Sequence, residues 1–436
     1  MPEMIKSKKR VGLISSDKVG PKMAGPGIRY LELARALVKF FDVTLFVPYS
    51  TDLVEKNIKI IPFDPRPSSF DLMKKVVNLD VVIAQSLYPP LLYKLKKRGI
   101  KFIADLYDPL LIEVLECTKD DNYRWRQSIF DFIFCSLVLE ISAANHILCA
   151  SERQKDYYVG VLSGRKILTP KFHDASPNLE NFITLAPFGL DHKPPKAKNP
   201  EAIFQKFPQI KKGDKILYWG GGIWNWFDPL SVIKAVEIIS LRRKDVKLFF
   251  LGTKHPNSLI KKMKTANEAV HYAKDKGLLD KFVFFNFDWT PYEERADYLM
   301  QAAIGVSTHF DNTETRFSFR TRILDYLWAE LPMILTRGDA FAELCEEKNL
   351  GRVVDFENPK QIAAAAEAII DNPTLTATIK KNIKEVKKDF YWTTIAGQIA
   401  AVIKDERWIE RRIFLPRFLG LAFNFYLAGL LKKLSK

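Results

Sequence analysis

Cysteine is scarce in this 436-residue chain: Cys117, Cys135, Cys149 and Cys345 are scattered with no paired spacing. That excludes a disulfide frame and a cysteine-based zinc site, and it points to small buried side chains in a reducing compartment. Histidine is scarce too, and His146, His173, His192, His255 and His271 share no spacing that would suit a metal or a catalytic pair. No metal site is expected. No charged-then-apolar leader opens the chain, because residues 1–10 run straight into an apolar strand, so a cytoplasmic location is expected. An apolar stretch long enough to cross a membrane is also lacking. The uncharged run from Phe418 to Leu431 would span only ~21 Å as a helix, against ~30 Å of hydrocarbon. Acidic residues are outnumbered, 51 against 67 basic ones, for a formal charge of +16. Such a surplus calls for nucleic acid, anionic lipid or a phosphorylated substrate as partner. The lysines are spread along the whole chain instead of clustered, which speaks against nucleic acid.

What is present is ample core material: 47% hydrophobic residues, with 31 Phe and 8 Trp. The length suits two domains. Short apolar runs alternate with helical stretches: Val11–Ser15, Val43–Val47, Ile58–Pro62, Val81–Gln85, Lys101–Asp105, Ile147–Ala150 and Ile183–Pro187. Continuous apolar runs of this kind are parallel strands covered on both faces. The Pro/Lys-rich segment His192–Pro200 then reads as a linker. A second series follows, with strands at Lys215–Gly220, Val246–Gly252, Phe282–Phe285, Ile304–Ser307, Met333–Leu335 and Arg352–Asp355. The expectation is an α/β protein of two doubly wound, Rossmann-like domains, 1–195 and 201–395, facing each other across a cleft. Residues 396–436 form a C-terminal helix and a basic, aromatic tail. This tail either packs back on the N-terminal domain or lies in an anionic membrane surface, and the two can follow one another along it.

The candidate functional residues lie where strands end. Thr315–Leu335 packs Arg316, Arg320 and Arg322 into seven residues before a helix that carries Asp325 and Trp328. Three guanidinium groups at a loop-to-helix junction favour an anion, and a phosphorylated ligand is the first expectation. Gly25 and Gly27 after the first strand, with Arg29, make either an acceptor or phosphate loop or a plain tight turn. Gly220, Gly221 and Gly222 repeat the device after the first strand of the second domain, with Asn225 beyond them and Asp228–Pro229 opening a helix. Trp224 and Trp226 either floor a sugar or base or close the edge of the cleft. Asp105 and Asp108 follow another strand, where they either bind and deprotonate an acceptor hydroxyl or cap a helix. His309 is the histidine best placed near the second glycine loop.

Here the pattern resembles a family. GPGIRYLELARAL at 25–37, CASERQ at 149–154, APFGL at 186–190, the WGGG loop and the helix ending at Leu331–Pro332 are together similar to the GT-B glycosyltransferases of retaining family 4. The similarity extends to about Trp392. It implies that the second domain holds a nucleotide-diphosphate sugar and the first holds the acceptor. It also implies that no metal or other cofactor takes part, cationic side chains and helix dipoles neutralising the departing diphosphate instead. By the spacing of that family, its two glutamates fall on Phe317 and Asp325. Asp325 can still accept hydrogen bonds from a ribose, while Glu314 or Asp311 stands near enough to replace the missing carboxylate. The cations that usually follow the glycine loop are absent from Ile223–Phe227, so Arg320 and Arg322 are expected to supply that charge, unless they are a salt-bridged pair holding the helix start.

The resulting expectation is a hexosyltransferase-type enzyme acting on a lipid-linked or polysaccharide acceptor in cell-envelope glycan synthesis, peripheral at the inner face of the membrane. A nucleotide-sugar epimerase of the same fold and a non-catalytic sugar-nucleotide or glycan-binding protein are the alternatives.

Overall fold

The computed structural model describes residues 8–21, 23–66, 69–252, 263–410 and 415–435. Residues 253–262, which include His255, and the start of the basic tail at 411–414 lie outside the described residues. The chain divides into two compact units, Met1–Phe188 with Trp392–Lys436, and Gly189–Tyr391. The segment 192–200 therefore belongs to the second unit. It is tied there by the Trp328 indole N–H, which donates to the Lys193 carbonyl at 2.7 Å, and by the Lys198 N–H, which donates to Asp297 at 2.6 Å.

The first unit holds seven strands: β1 (Arg10–Ile14), β2 (Asp42–Pro48), β3 (Ile58–Phe63), β4 (Val81–Ala84), β5 (Lys101–Asp105), β6 (His146–Cys149) and β7 (Ile183–Leu185). Their order is β3-β2-β1-β4-β5-β6-β7, and every pair is parallel. All four residues of β4 and of β6 are buried, as a sheet covered on both faces demands. The second unit holds six: β8 (Lys215–Trp219), β9 (Val246–Phe250), β10 (Val283–Phe285), β11 (Ile304–Ser307), β12 (Met333–Thr336) and β13 (Gly351–Val354). Their order is β10-β9-β8-β11-β12-β13, again all parallel. In each sheet the chain reverses its winding direction once, between β1 and β4 in the first and between β8 and β11 in the second. Ligands of open parallel sheets bind beyond the carboxyl ends of the strands at such switch points.

The end of the chain returns to the first unit. Helix Trp392–Lys404 packs on helix Gly25–Leu37, and helix Leu415–Leu434 packs along helix Tyr123–Ala143. The tail thus packs back on the N-terminal unit. No helix among the described residues is long and apolar enough to cross a membrane. The terminal helix is longer than the uncharged run alone suggested, 20 residues, or about 30 Å. One of its faces is occupied by Phe418, Phe425 and Ala428, which are buried against the domain.

Candidate functional site

In the second unit the switch point is built from the exits of β8 and β11. Gly220 follows β8 directly and donates its N–H to the Tyr326 hydroxyl at 3.0 Å. That hydroxyl lies 2.8 Å from the Val306 carbonyl of β11 and 3.2 Å from the Tyr218 carbonyl of β8. Tyr326 thereby pins the glycine loop to the two strands that part there. Gly221 has φ +73°, a left-handed conformation that a side chain would strain. The far end of the loop is stitched down as well. Asp228 caps helix Pro229–Ser240 by accepting the Ser231 N–H at 3.0 Å, its own N–H donates to the Thr308 carbonyl, and the Thr308 hydroxyl donates to the Asp228 carbonyl. Trp224 and Trp226 stack in parallel, with ring centroids 5.3 Å apart. Asn225 is buried, 3.4 Å from the Thr265 hydroxyl.

The three arginines have separate fates. Arg320 and Glu314 are both buried and form a bidentate pair, with Nη1 to Oε1 at 2.8 Å and Nη2 to Oε2 at 2.7 Å. This corrects two expectations at once. Arg320 is neutralised inside the unit by Glu314, with its Nε 3.8 Å from Asp339, and Glu314 is committed to it instead of replacing the carboxylate missing at Phe317. Arg316 is exposed, its guanidinium 5.7 Å from the Phe317 ring. Asp311 is exposed too. Arg322 is different. Its guanidinium lies flat against Phe227 at 3.9 Å and near Trp219 at 4.8 Å, and Nη2 donates to the Gly222 carbonyl at 2.6 Å. Its buried Nη1 meets no hydrogen-bond partner among the described residues. Burial, with neighbouring Arg320 adding to it, pushes this guanidinium down to about 10. It stays a cation at neutral pH, with a donor to spare beside the glycine loop.

His309 is buried at the exit of β11. Its Nε2 lies 3.1 Å from the Arg337 carbonyl and therefore carries the proton, while Nδ1 makes no hydrogen bond among the described residues and lies 3.9 Å from Asp339 Oδ2. Burial and the nearby Arg320 hold its basicity far below the usual range, so the ring is neutral. Asp325, the expected ribose ligand, accepts from Arg295 Nε at 2.9 Å and remains one-third exposed. Arg295 is itself held over the rings of Tyr292 and Trp328.

In the first unit, Arg29 and Asp105 are both fully buried and pair bidentately, Nε to Oδ2 at 2.8 Å and Nη2 to Oδ1 at 2.6 Å. Arg29 also donates to the Ala186 and Pro187 carbonyls, both at 2.9 Å. Neither side chain is exposed, which corrects the expected catalytic role of Asp105 and the phosphate-loop role of Arg29: they tie helix Gly25–Leu37 to the ends of β5 and β7. Gly27 is likewise structural, since a Cβ there would sit 2.2 Å from the Lys18 carbonyl. Gly25 has open space at that position, at the uncapped start of the same helix.

Asp108 is half-buried. Burial lifts its carboxyl to about 7, with Arg29 and the Tyr107 hydroxyl acting in the other direction. The Tyr107 hydroxyl and the Gln85 side chain lie beside it, close enough to favour its charged form. Glu140, not singled out in the sequence, is buried, accepts the Leu87 N–H at 3.1 Å and is pushed by burial up to about 8. It braces the exit of β4 from the last turn of a long helix, where no local pattern marks it. Tyr326 was equally illegible, being one aromatic among many on an apolar helix. No group of three or more His, Cys, Asp or Glu among the described residues is arranged to hold a metal ion.

Comparison with known proteins agrees with this geometry. Residues 196–372, all within the second unit, match the family model described as Glycosyl transferases group 1. No curated protein matches the sequence. Among solved structures, sucrose-phosphate synthase from Thermosynechococcus elongatus superposes with a TM-score of 0.64 at 16% identity, covering 92% of this chain and 99% of that one. Anabaena HepE in complex with UDP and glucose gives 0.62 at 14% identity, covering 91% and 100%. WaaG, a glycosyltransferase involved in lipopolysaccharide biosynthesis, gives 0.61 at 14% identity, covering 90% and 99%. The fold is that of the GT-B glycosyltransferases, and residues 196–372 of the second unit match the group 1 glycosyltransferase family.

Proposed function

We propose that this enzyme transfers a sugar from a nucleotide-diphosphate sugar, bound at the exits of β8 and β11, to a hydroxyl of a lipid-linked or polysaccharide acceptor. The observation that carries the donor half is Arg322, a stacked cation with an unpartnered buried donor lying against the glycine loop. Solved structures of the same fold contain UDP, UDP-glucose or UDP-2-fluoro glucose, which supports the same class of donor here. As the glycosidic bond breaks, negative charge grows on the leaving diphosphate. Arg322 and the N–H groups of Gly221 and Gly222 take up that charge in place of a metal ion. Tyr326, Asp228 and the Arg320–Glu314 pair act through position, fixing the loop and the helix from which Arg322 projects. Asp325, held by Arg295, is the candidate for the ribose hydroxyls, and stacked Trp224 and Trp226 wall the site. His309, being neutral, offers Nδ1 as an acceptor for a sugar hydroxyl.

On the acceptor side Asp108 takes the proton from the attacking hydroxyl, since a carboxyl near 7 is poised for proton transfer at neutral pH. Gln85 and Tyr107 supply hydrogen-bonding groups beside it. Retention of anomeric configuration, a role in cell-envelope glycan synthesis and a peripheral position at the inner membrane face complete the proposal. They rest on the family resemblance and on the basic, apolar tail. A thermal-shift panel of nucleoside diphosphates and their sugars tests the donor assignment. Stabilisation by at least one is expected, and a flat response to all of them overturns it.

A further inference from the structure

Helix Leu415–Leu434 carries apolar side chains on two opposite faces. One face, with Phe418, Phe425 and Ala428, is buried along helix Tyr123–Ala143. The other is exposed: Leu419 is 58% accessible, Phe423 66%, Tyr426 50%, Leu430 55% and Leu434 75%. Their spacing of three and four residues puts them on one stripe about 22 Å long. A helix in water normally turns polar residues outward, so an apolar outer stripe of this length marks a surface that something covers.

The charges beside it say what. The 20-residue helix contains no Asp or Glu, and it has Arg417 near its start and Lys432 and Lys433 at its end. Next to that end a groove of about 480 Å3 opens between the two helices, lined by Tyr123, Arg124, Phe134, Leu427 and Leu431, with Asp131 as the single acid in its wall. Aromatic and leucine side chains with cations at the rim match the boundary between lipid chains and anionic headgroups. A second copy of the chain is a poorer match, because each copy brings its own formal charge of +16.

We propose that this helix lies in the plane of an anionic bilayer, with its outer stripe inserted below the headgroups and its basic end and Arg124 against lipid phosphates. The groove beside it then takes part of a lipid chain. This deepens the membrane-surface reading above and assigns it to one helix face. It also explains why the packed helix does not span: its inner face belongs to the domain.

Flotation of the full chain tests this with vesicles of phosphatidylcholine alone and of phosphatidylcholine mixed with phosphatidylglycerol. Binding to the mixed vesicles, weakened by salt, is expected. The double variant Leu419→Asp with Phe423→Asp should weaken it by about tenfold or more, and Lys432→Glu with Lys433→Glu should do the same. Both variants should keep the wild-type thermal shift with nucleoside diphosphates, which separates failure of the insertion face from failure of the donor assignment. Unchanged vesicle binding in both variants overturns the proposal, and so does wild-type protein that ignores anionic vesicles. A wild-type dimer in light scattering that Leu419→Asp with Phe423→Asp converts to monomer, without vesicle binding, assigns the stripe to a second copy instead.

Discussion

Arg320 and Arg322 stand two residues apart, and burial and pairing give them opposite jobs. Arg320 faces inward onto Glu314. Removing it leaves a carboxylate uncompensated in the interior, so Arg320→Ala should cost about 3–5 kcal/mol of stability, read in denaturant unfolding. Arg322 holds itself by stacking and one carbonyl contact, so Arg322→Ala should leave the fold intact and lower activity. Lysine at 322 should not rescue, because an ammonium neither stacks flat on Phe227 nor keeps one edge on Gly222 while presenting another. Two acids raised by burial carry the pH dependence. Glu140 titrates near 8, above its unfolded value, so its protonated form favours the folded state and the contribution fades as pH rises toward 8. Glu140→Gln keeps an acceptor for the Leu87 N–H and should stabilise the protein by a few kcal/mol near pH 8, while changing little near pH 4. Asp108, near 7, must lose its proton to act as base. Activity should therefore climb through about pH 7, and Asp108→Asn should lower turnover and flatten that limb.

At the scale of elements, most of the fold was legible. The short apolar runs became thirteen parallel strands with ends within a residue or two of those expected, because a strand buried on both faces must be apolar throughout. Asp228 and Pro229 open their helix as the capping pattern requires. Asp228→Ala should cost roughly 1 kcal/mol in cap strength and loosen the glycine loop, which a drop in donor affinity larger than the drop in melting temperature would reveal. What the sequence hid was pairing. Arg29 lies 76 positions from Asp105, and only the order of β1, β4 and β5 brings them together. Asp105 therefore looked like a free strand-end carboxylate, just as Glu314 looked like a replacement catalytic acid. The sequence placed Asp105 at the end of β5 and Glu314 near the missing carboxylate, and was silent about the partner already there.

For the whole molecule, two parallel sheets wound alike carry different chemistry because their strand exits are furnished differently. The second unit offers a stacked cation, a pinned glycine loop and two parallel indoles. The first offers a half-buried carboxyl beside a tyrosine hydroxyl and a glutamine amide. The excess of positive charge is spread along the chain, and the tail helix adds a cationic end to an apolar stripe. Nucleotide-sugar transfer by this chain stands or falls on Arg322. The most direct measurement is calorimetric titration of wild-type and Arg322→Ala protein with the nucleoside diphosphate that stabilises the fold best. Wild-type binding, with affinity reduced about tenfold or more in the variant and unfolding unchanged, is the predicted result. Equal affinity in the two proteins would contradict the account.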